Sequence, residues 1–134
     1  VPRYARDLIA AFWPGPLTLV LYAQASLMWD LGDTRGTVAL RMPQDDTALR
    51  LLDEVGPMAV TSANVSGQPP ARSVLDAATQ LGSSVSVYLD GGPSTGGLAS
   101  TILDCTDEAP VILRAGGLSV AEIQQVLGEI ELRN

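Results

Sequence analysis

Six apolar runs, none longer than seven residues, punctuate this chain, at 17–23, 37–42, 58–63, 86–89, 100–104 and 111–114. Runs of this length suit buried strands and are far too short to span a membrane. Between them lie turns rich in Gly, Pro, Asn and Asp, and four stretches of helical pattern. Strands and helices that alternate in this way predict an α/β layout. Several runs follow one another with no helix between them. The expected sheet is therefore mixed, with helices packed on it, rather than a pure parallel wind.

The helical stretches carry their own punctuation. Leu8, Ile9, Ala11 and Phe12 predict a short first helix ended by Pro14 and Gly15. Residues 45–56 predict a second, with Asp45 or Asp46 as N-cap and Gly56 as C-cap. Ser73 caps a third that reaches about residue 81. The last, at 119–130, opens on Ser119 and Glu122, the spacing of a capping box. Residues 24–36 read as a loop with Leu27, Met28 and Trp29 as an apolar plug. Residues 64–71 are turn chemistry, and 90–97 form a Gly-rich loop.

Composition bounds the function. The 134 residues fit one domain, and 46 % hydrophobic with 17 % charged residues argues against disorder. All eight cationic residues are arginine, and there is no histidine. A Ser-His-Asp triad, a His-based metal site and a lysine-dependent P-loop are excluded. The single cysteine, Cys105, excludes an internal disulfide and a Cys-rich zinc site, and it reads as inert. One cysteine and no leader pattern point to the cytoplasm. A net charge of -7 speaks against tight non-specific binding to nucleic acid. The opening residues have no Met and start inside a helical pattern, which suggests a piece of a longer protein.

Four places carry candidate chemistry. On the run at 37–42, Thr37, Ala39 and Arg41 share one face and Val38, Leu40 and Met42 the other. The second face is expected in the core. The first fits either a solvated sheet face or the floor of a polar pocket. Thr61, Ser62, Asn64, Ser66 and Gly67 suit first an ordinary turn, and second a backbone that approaches a phosphate. Ser100 and Thr101 begin a strand just after the Gly-rich loop. Arg114 closes the last apolar run and is followed by Gly116 and Gly117. It fits a salt bridge to an acidic residue, or an anion clamp with room left for the ligand.

Taken together, "FWPGPLTLVL", "TVALRMP", "TSANVSG", "STILD" and "ILRAGG", in this order, closely resemble the Sua5/YrdC/YciO family, the threonylcarbamoyl-AMP synthases. The resemblance covers nearly the whole chain. It implies a YrdC-like (RibB-like) twisted sheet lining a large polar cavity, in one partial domain over residues 1–134. It implies a nucleotidyltransferase that makes L-threonylcarbamoyladenylate and pyrophosphate from L-threonine, bicarbonate and ATP. The product serves N6-threonylcarbamoyladenosine modification of tRNA. Thr37, Ser62, Asn64 and Arg114 would contact ATP, with Mg²⁺ arriving on the nucleotide. Arg41, Val60 and Ser100 would contact L-threonine. No covalent nucleophile, general base or protein-only metal site is expected. Partners would be the three substrates and other tRNA-modification proteins, with weak or no direct RNA binding and no membrane. Pro70 stands where the family often has a serine that contacts ATP. The family's N-terminal Lys-x-Arg stretch has no counterpart here, so the chain by itself is expected to be an incomplete enzyme. The alternatives are an inactive or truncated relative that acts as a nucleotide- or RNA-binding module, and a related carbamoyl-transfer domain.

Overall fold

Leu17, Leu19 and Leu21 alternate with Thr18, Val20 and Tyr22, and this period of two makes β1 (Leu17–Tyr22) a strand with one apolar face. In the computed structural model, which describes residues 1–94 and 97–134, the remaining strands are β2 (Thr37–Leu40), β3 (Thr101–Asp104) and β4 (Val111–Arg114). The helices are α1 (Arg3–Phe12), α2 (Asp46–Val55), α3 (Val74–Leu81) and α4 (Val120–Leu127). The strands form one sheet in the order β2-β1-β3-β4. β1 runs parallel to β3, and the other two pairings are antiparallel. The expected mixed sheet with packed helices is therefore present.

The chain divides into two compact units, residues 1–49 with 98–134, and residues 50–97. The first contains the whole sheet, α1 and α4. Its core takes Tyr4, Ala5 and Leu8 from α1, Ile123 and Leu127 from α4, and Leu17, Leu19, Leu21, Leu103 and Cys105 from β1, β3 and the residue after β3. Each leucine fully removed from water contributes roughly 1.5–3 kcal/mol. Thr101 is buried with them, and its hydroxyl donates to Leu118 O at 2.7 Å and accepts from Leu118 N at 3.1 Å. The sequence placed Thr101 among the site candidates. The structure makes it a lock between β3 and the approach to α4.

The caps hold as expected. Ser119 and Glu122 form the reciprocal capping box, and Asp76 N donates to Ser73 Oγ at 3.1 Å. Asp45 Oδ1 accepts from Ala48 N at 2.8 Å. The last helix stops at Leu127 rather than 130, because Gly128 takes φ +63 and turns the chain away.

Three expectations fail. Residues 58–63 and 86–89 form no strand. A strand is held by the ladder beside it, and among the described residues neither run has a neighbouring strand to pair with. Leu40 and Met42, expected in the core, are exposed, because β2 is an edge strand and contributes nothing to the core cluster. Leu27, Met28 and Trp29 form no plug, for Met28 is 89 % exposed and Trp29 is exposed too. Within the second unit none of the described residues is fully buried. Part of the expected Gly-rich loop, residues 95 and 96, lies outside the described residues.

Cys105 is buried in the core of the first unit. Burial pushes its thiol up to about 12, a shift the nearby Asp104 carboxylate adds to and the Tyr4 hydroxyl opposes. Burial also raises the Tyr4 phenol, whose hydroxyl donates to Asp107 O at 2.7 Å. A thiol reacts as its thiolate. An aromatic disulfide reagent at pH 8 is thus expected to label Cys105 only as fast as the protein unfolds. Immediate labelling of the folded protein would show an accessible, ionised thiol.

Candidate functional site

The buried leucines of β1 fix which residues its other face presents. Thr18 lies opposite Leu17 and Leu19 in the strand's alternation, and the sheet register aligns it with Ile102 on β3. Ile102 is in turn aligned with Arg114 on β4. Thr18, Ile102 and Arg114 therefore form one row across three strands, on the face away from the core. Ser100, two residues before Ile102, has the same orientation and is only 6 % exposed.

The polar members of this row are joined. Thr18 Oγ1 and Ser100 Oγ are 2.8 Å apart. Arg114 donates from Nε to Ser100 O and from Nη2 to Ser100 Oγ, each at 3.0 Å. Two of its five N–H groups are thereby committed, which fixes the guanidinium plane. Among the described residues the single ion pair is Arg133 with Asp107. Arg114 has no carboxylate within bonding distance there, so the salt-bridge reading of this residue is not the one observed. It is an exposed, oriented cation with donor groups left over.

Gly116 lets the chain turn back beside Ser100. A Cβ at Gly116 would overlap Ala99 O and lie 2.5 Å from Ser100 C and 2.6 Å from Ser100 O. No real side chain fits there. The close approach is sealed by Gly117 N donating to Ala99 O at 2.8 Å.

Thr37 and Arg41 belong to the same unit but make separate contacts. Thr37 Oγ1 donates to Thr34 O at 2.8 Å, so its hydroxyl offers a ligand only its lone pairs. Arg41 lies just past the end of β2, and its Nε donates to Gly15 O at 3.0 Å. Gly15 N donates to Met42 O at 2.9 Å, closing the turn that follows α1 onto the end of β2. No hydrogen bond links either residue to Ser100 or Arg114 among the described residues.

Val60, Ser62 and Asn64 lie in the other unit. Val60 is 85 % exposed. The segment around Asn64 is a pinned loop: Ala71 N donates to Ala63 O at 2.9 Å, and Gln68 N to Val65 O at 2.9 Å. Gln80 on α3 holds it from beside, accepting from Val65 N at 3.1 Å and donating to Pro69 O at 3.2 Å. Gly67 supplies φ +83. Asn64 Nδ2 donates to Val65 O at 3.0 Å, while its Oδ1 is buried with no hydrogen-bond partner among the described residues. A ligand or a water can satisfy such an acceptor.

Sequence reasoning missed Thr18 and Gln80. Strand alternation already set Thr18 apart from the leucines of β1, and that signal was legible. Gln80 gave none, since a glutamine on an exposed helix is ordinary.

A family model, Sua5_yciO_yrdC, described as "Telomere recombination", matches residues 1–116. A Mycobacterium leprae relative is 60 % identical over 130 residues, which are 97 % of this chain and 59 % of the relative. The threonylcarbamoyl-AMP synthase of Pyrococcus abyssi is 40 % identical over 133 residues, 98 % of this chain and 39 % of that protein. A crystal structure of P. abyssi Sua5 complexed with L-threonine superposes with a TM-score of 0.89, at 40 % identity, covering 99 % of this chain and 39 % of that one. Escherichia coli YciO superposes with a TM-score of 0.80, at 28 % identity, covering 92 % and 61 %. The chain thus spans 59 % of the mycobacterial relative's length and 39 % of the archaeal one's.

Proposed function

The chain belongs to the Sua5/YciO/YrdC family, and from that premise we propose that it carries much of the substrate site of a threonylcarbamoyl-AMP synthase. The reaction joins L-threonine, bicarbonate and ATP. The amino nitrogen of threonine takes up the carbon of bicarbonate with loss of water. An oxygen of the resulting N-carboxylate attacks the α-phosphorus of ATP, the bond to the bridging oxygen breaks, and pyrophosphate leaves. The adenylate then serves N6-threonylcarbamoyladenosine formation on tRNA.

The observation that carries this reading is Arg114, a guanidinium oriented by two bonds to Ser100 and without a carboxylate partner among the described residues. A planar fork held in advance suits a phosphate or carboxylate. Arg114, Thr37, Ser62 and Asn64 would meet the nucleotide, Asn64 Oδ1 by accepting a hydrogen bond from an N–H or O–H of the nucleotide and Thr37 through its lone pairs. Arg41, Ser100 and the backbone at Val60 would hold L-threonine. Rate comes from placing the N-carboxylate in line with the α-phosphorus and from charge stabilisation, not from a nucleophile of the protein. Among the described residues no group of three or more Asp, Glu, Cys or His side chains could hold a metal. Mg²⁺ would enter as part of the nucleotide substrate. No helix of the described residues is long and apolar enough to cross a membrane.

The test uses the full-length protein. Pyrophosphate release is expected only when ATP, L-threonine and bicarbonate are all present, with threonylcarbamoyl-AMP as the co-product by mass spectrometry. Pyrophosphate release that ignores threonine would overturn the reading.

A further inference from the structure

We propose that Thr18 is a positioning residue that directs the hydroxyl of Ser100 toward the ligand; this rests on the reading that Ser100 contacts L-threonine. A serine oxygen has one proton and two lone pairs. Two neighbours of Ser100 Oγ are fixed by the fold. Arg114 Nη2, at 3.0 Å, can only donate, because a guanidinium has no acceptor. It occupies one lone pair. Thr18 Oγ1, at 2.8 Å, can stand in either role.

The two roles have different consequences. When Ser100 donates to Thr18, its one proton is spent and it can meet a ligand only as an acceptor. When Thr18 donates to Ser100, both lone pairs are filled, and the proton of Ser100 is its only remaining hydrogen-bonding capacity. Each state leaves one hydroxyl proton without a protein acceptor among the described residues, so neither is strongly preferred by the protein alone. An acceptor oxygen on the ligand breaks the tie, since only the second state offers it a proton. Thr18 thus lets Ser100 act as an obligatory donor to a carboxylate or hydroxyl oxygen of threonine. The methyl group of Thr18 also restricts its χ1, which keeps Oγ1 aimed at Ser100 at little entropic cost.

The experiment compares Thr18→Val, Thr18→Ser and Ser100→Ala in the full-length protein, with KM for threonine and ATP measured separately and thermal unfolding as a fold check. Thr18→Val keeps the side-chain shape and removes the hydroxyl. It is expected to raise the threonine KM about tenfold, the scale of one well-placed hydrogen bond, with the ATP KM within about twofold. Thr18→Ser restores the hydroxyl and is expected to recover the wild-type value. Thr18→Val combined with Ser100→Ala should be no worse than Ser100→Ala alone, because Thr18 acts through Ser100. A normal threonine KM in Thr18→Val, no rescue by serine, or additive losses in the double variant would overturn the proposal. If Ser100→Ala itself leaves the threonine KM unchanged, the assignment of Ser100 fails and takes Thr18 with it. If Ser100→Ala raises it and Thr18→Val does not, only the role of Thr18 falls.

Discussion

Arg114→Ala in the full-length protein is expected to weaken ATP binding by one to two orders of magnitude while leaving the fold intact. A charge-assisted hydrogen bond contributes about 1.5–3 kcal/mol, and every 1.4 kcal/mol is a tenfold change in affinity. Arg114 is exposed and outside the core cluster, so its loss opens no cavity. Arg114→Lys should recover little. The bonds from Nε and Nη2 to the two oxygens of Ser100 depend on a planar fork, and an ammonium cannot reproduce that geometry while facing an anion. Calorimetry of ATP binding is the measurement. Unchanged affinity in Arg114→Ala would show that the guanidinium faces something other than the nucleotide.

The second large effect concerns stability. Gly116→Ala is expected to destabilise the protein by about 3 kcal/mol, the upper end of the overpacking range. The added Cβ meets backbone atoms of Ala99 and Ser100, which cannot rotate out of the way as the tip of a side chain could. Relief requires separating the two segments, which breaks the bond from Gly117 N to Ala99 O and displaces Ser100 with it. Loss of ATP and threonine affinity should accompany the loss of stability. Gly91→Ala is the control, because a Cβ there meets nothing within 4 Å and the backbone does not have a positive φ. It should stay within about 0.5 kcal/mol of wild type, as surface changes usually do. Chemical denaturation of both variants checks the pair, and similar midpoints would refute the close-approach argument.

The sequence by itself determined what local physics can determine. The run at 17–23 is legible in the sequence as a strand, and the structure buries its leucines on one face. Ser73, Ser119 and Glu122 set helix starts through bonds spanning three residues. Gly56 marks a helix end through a backbone conformation open to glycine. With no lysine and no histidine, these 134 residues by themselves cannot build a Ser-His-Asp triad or a lysine-dependent P-loop. The five family motifs supplied the candidate site residues one by one, as what the resemblance implies.

Tertiary structure decided what depends on a partner distant in sequence. Residues 58–63 and 37–40 are both short apolar runs, yet among the described residues only the latter is a strand, held by its pairing with β1. Nothing within 58–63 reveals whether another strand will be there. Ser100 and Thr101 are adjacent hydroxyls with similar claims from sequence. The register of β3 turns Thr101 into the core against Leu118 and Ser100 onto the other face, beside Thr18 and Arg114. Arg114 was left between a salt bridge and an anion clamp, since its own segment contains no information about charges brought near by folding. The sheet placed it against Ser100, 14 residues away in sequence, and against no carboxylate among the described residues. Thr18 lies 82 residues from Ser100. A hydrogen bond across that separation exists only because β1 and β3 pair in parallel, and that pairing is a property of the assembled sheet rather than of either strand.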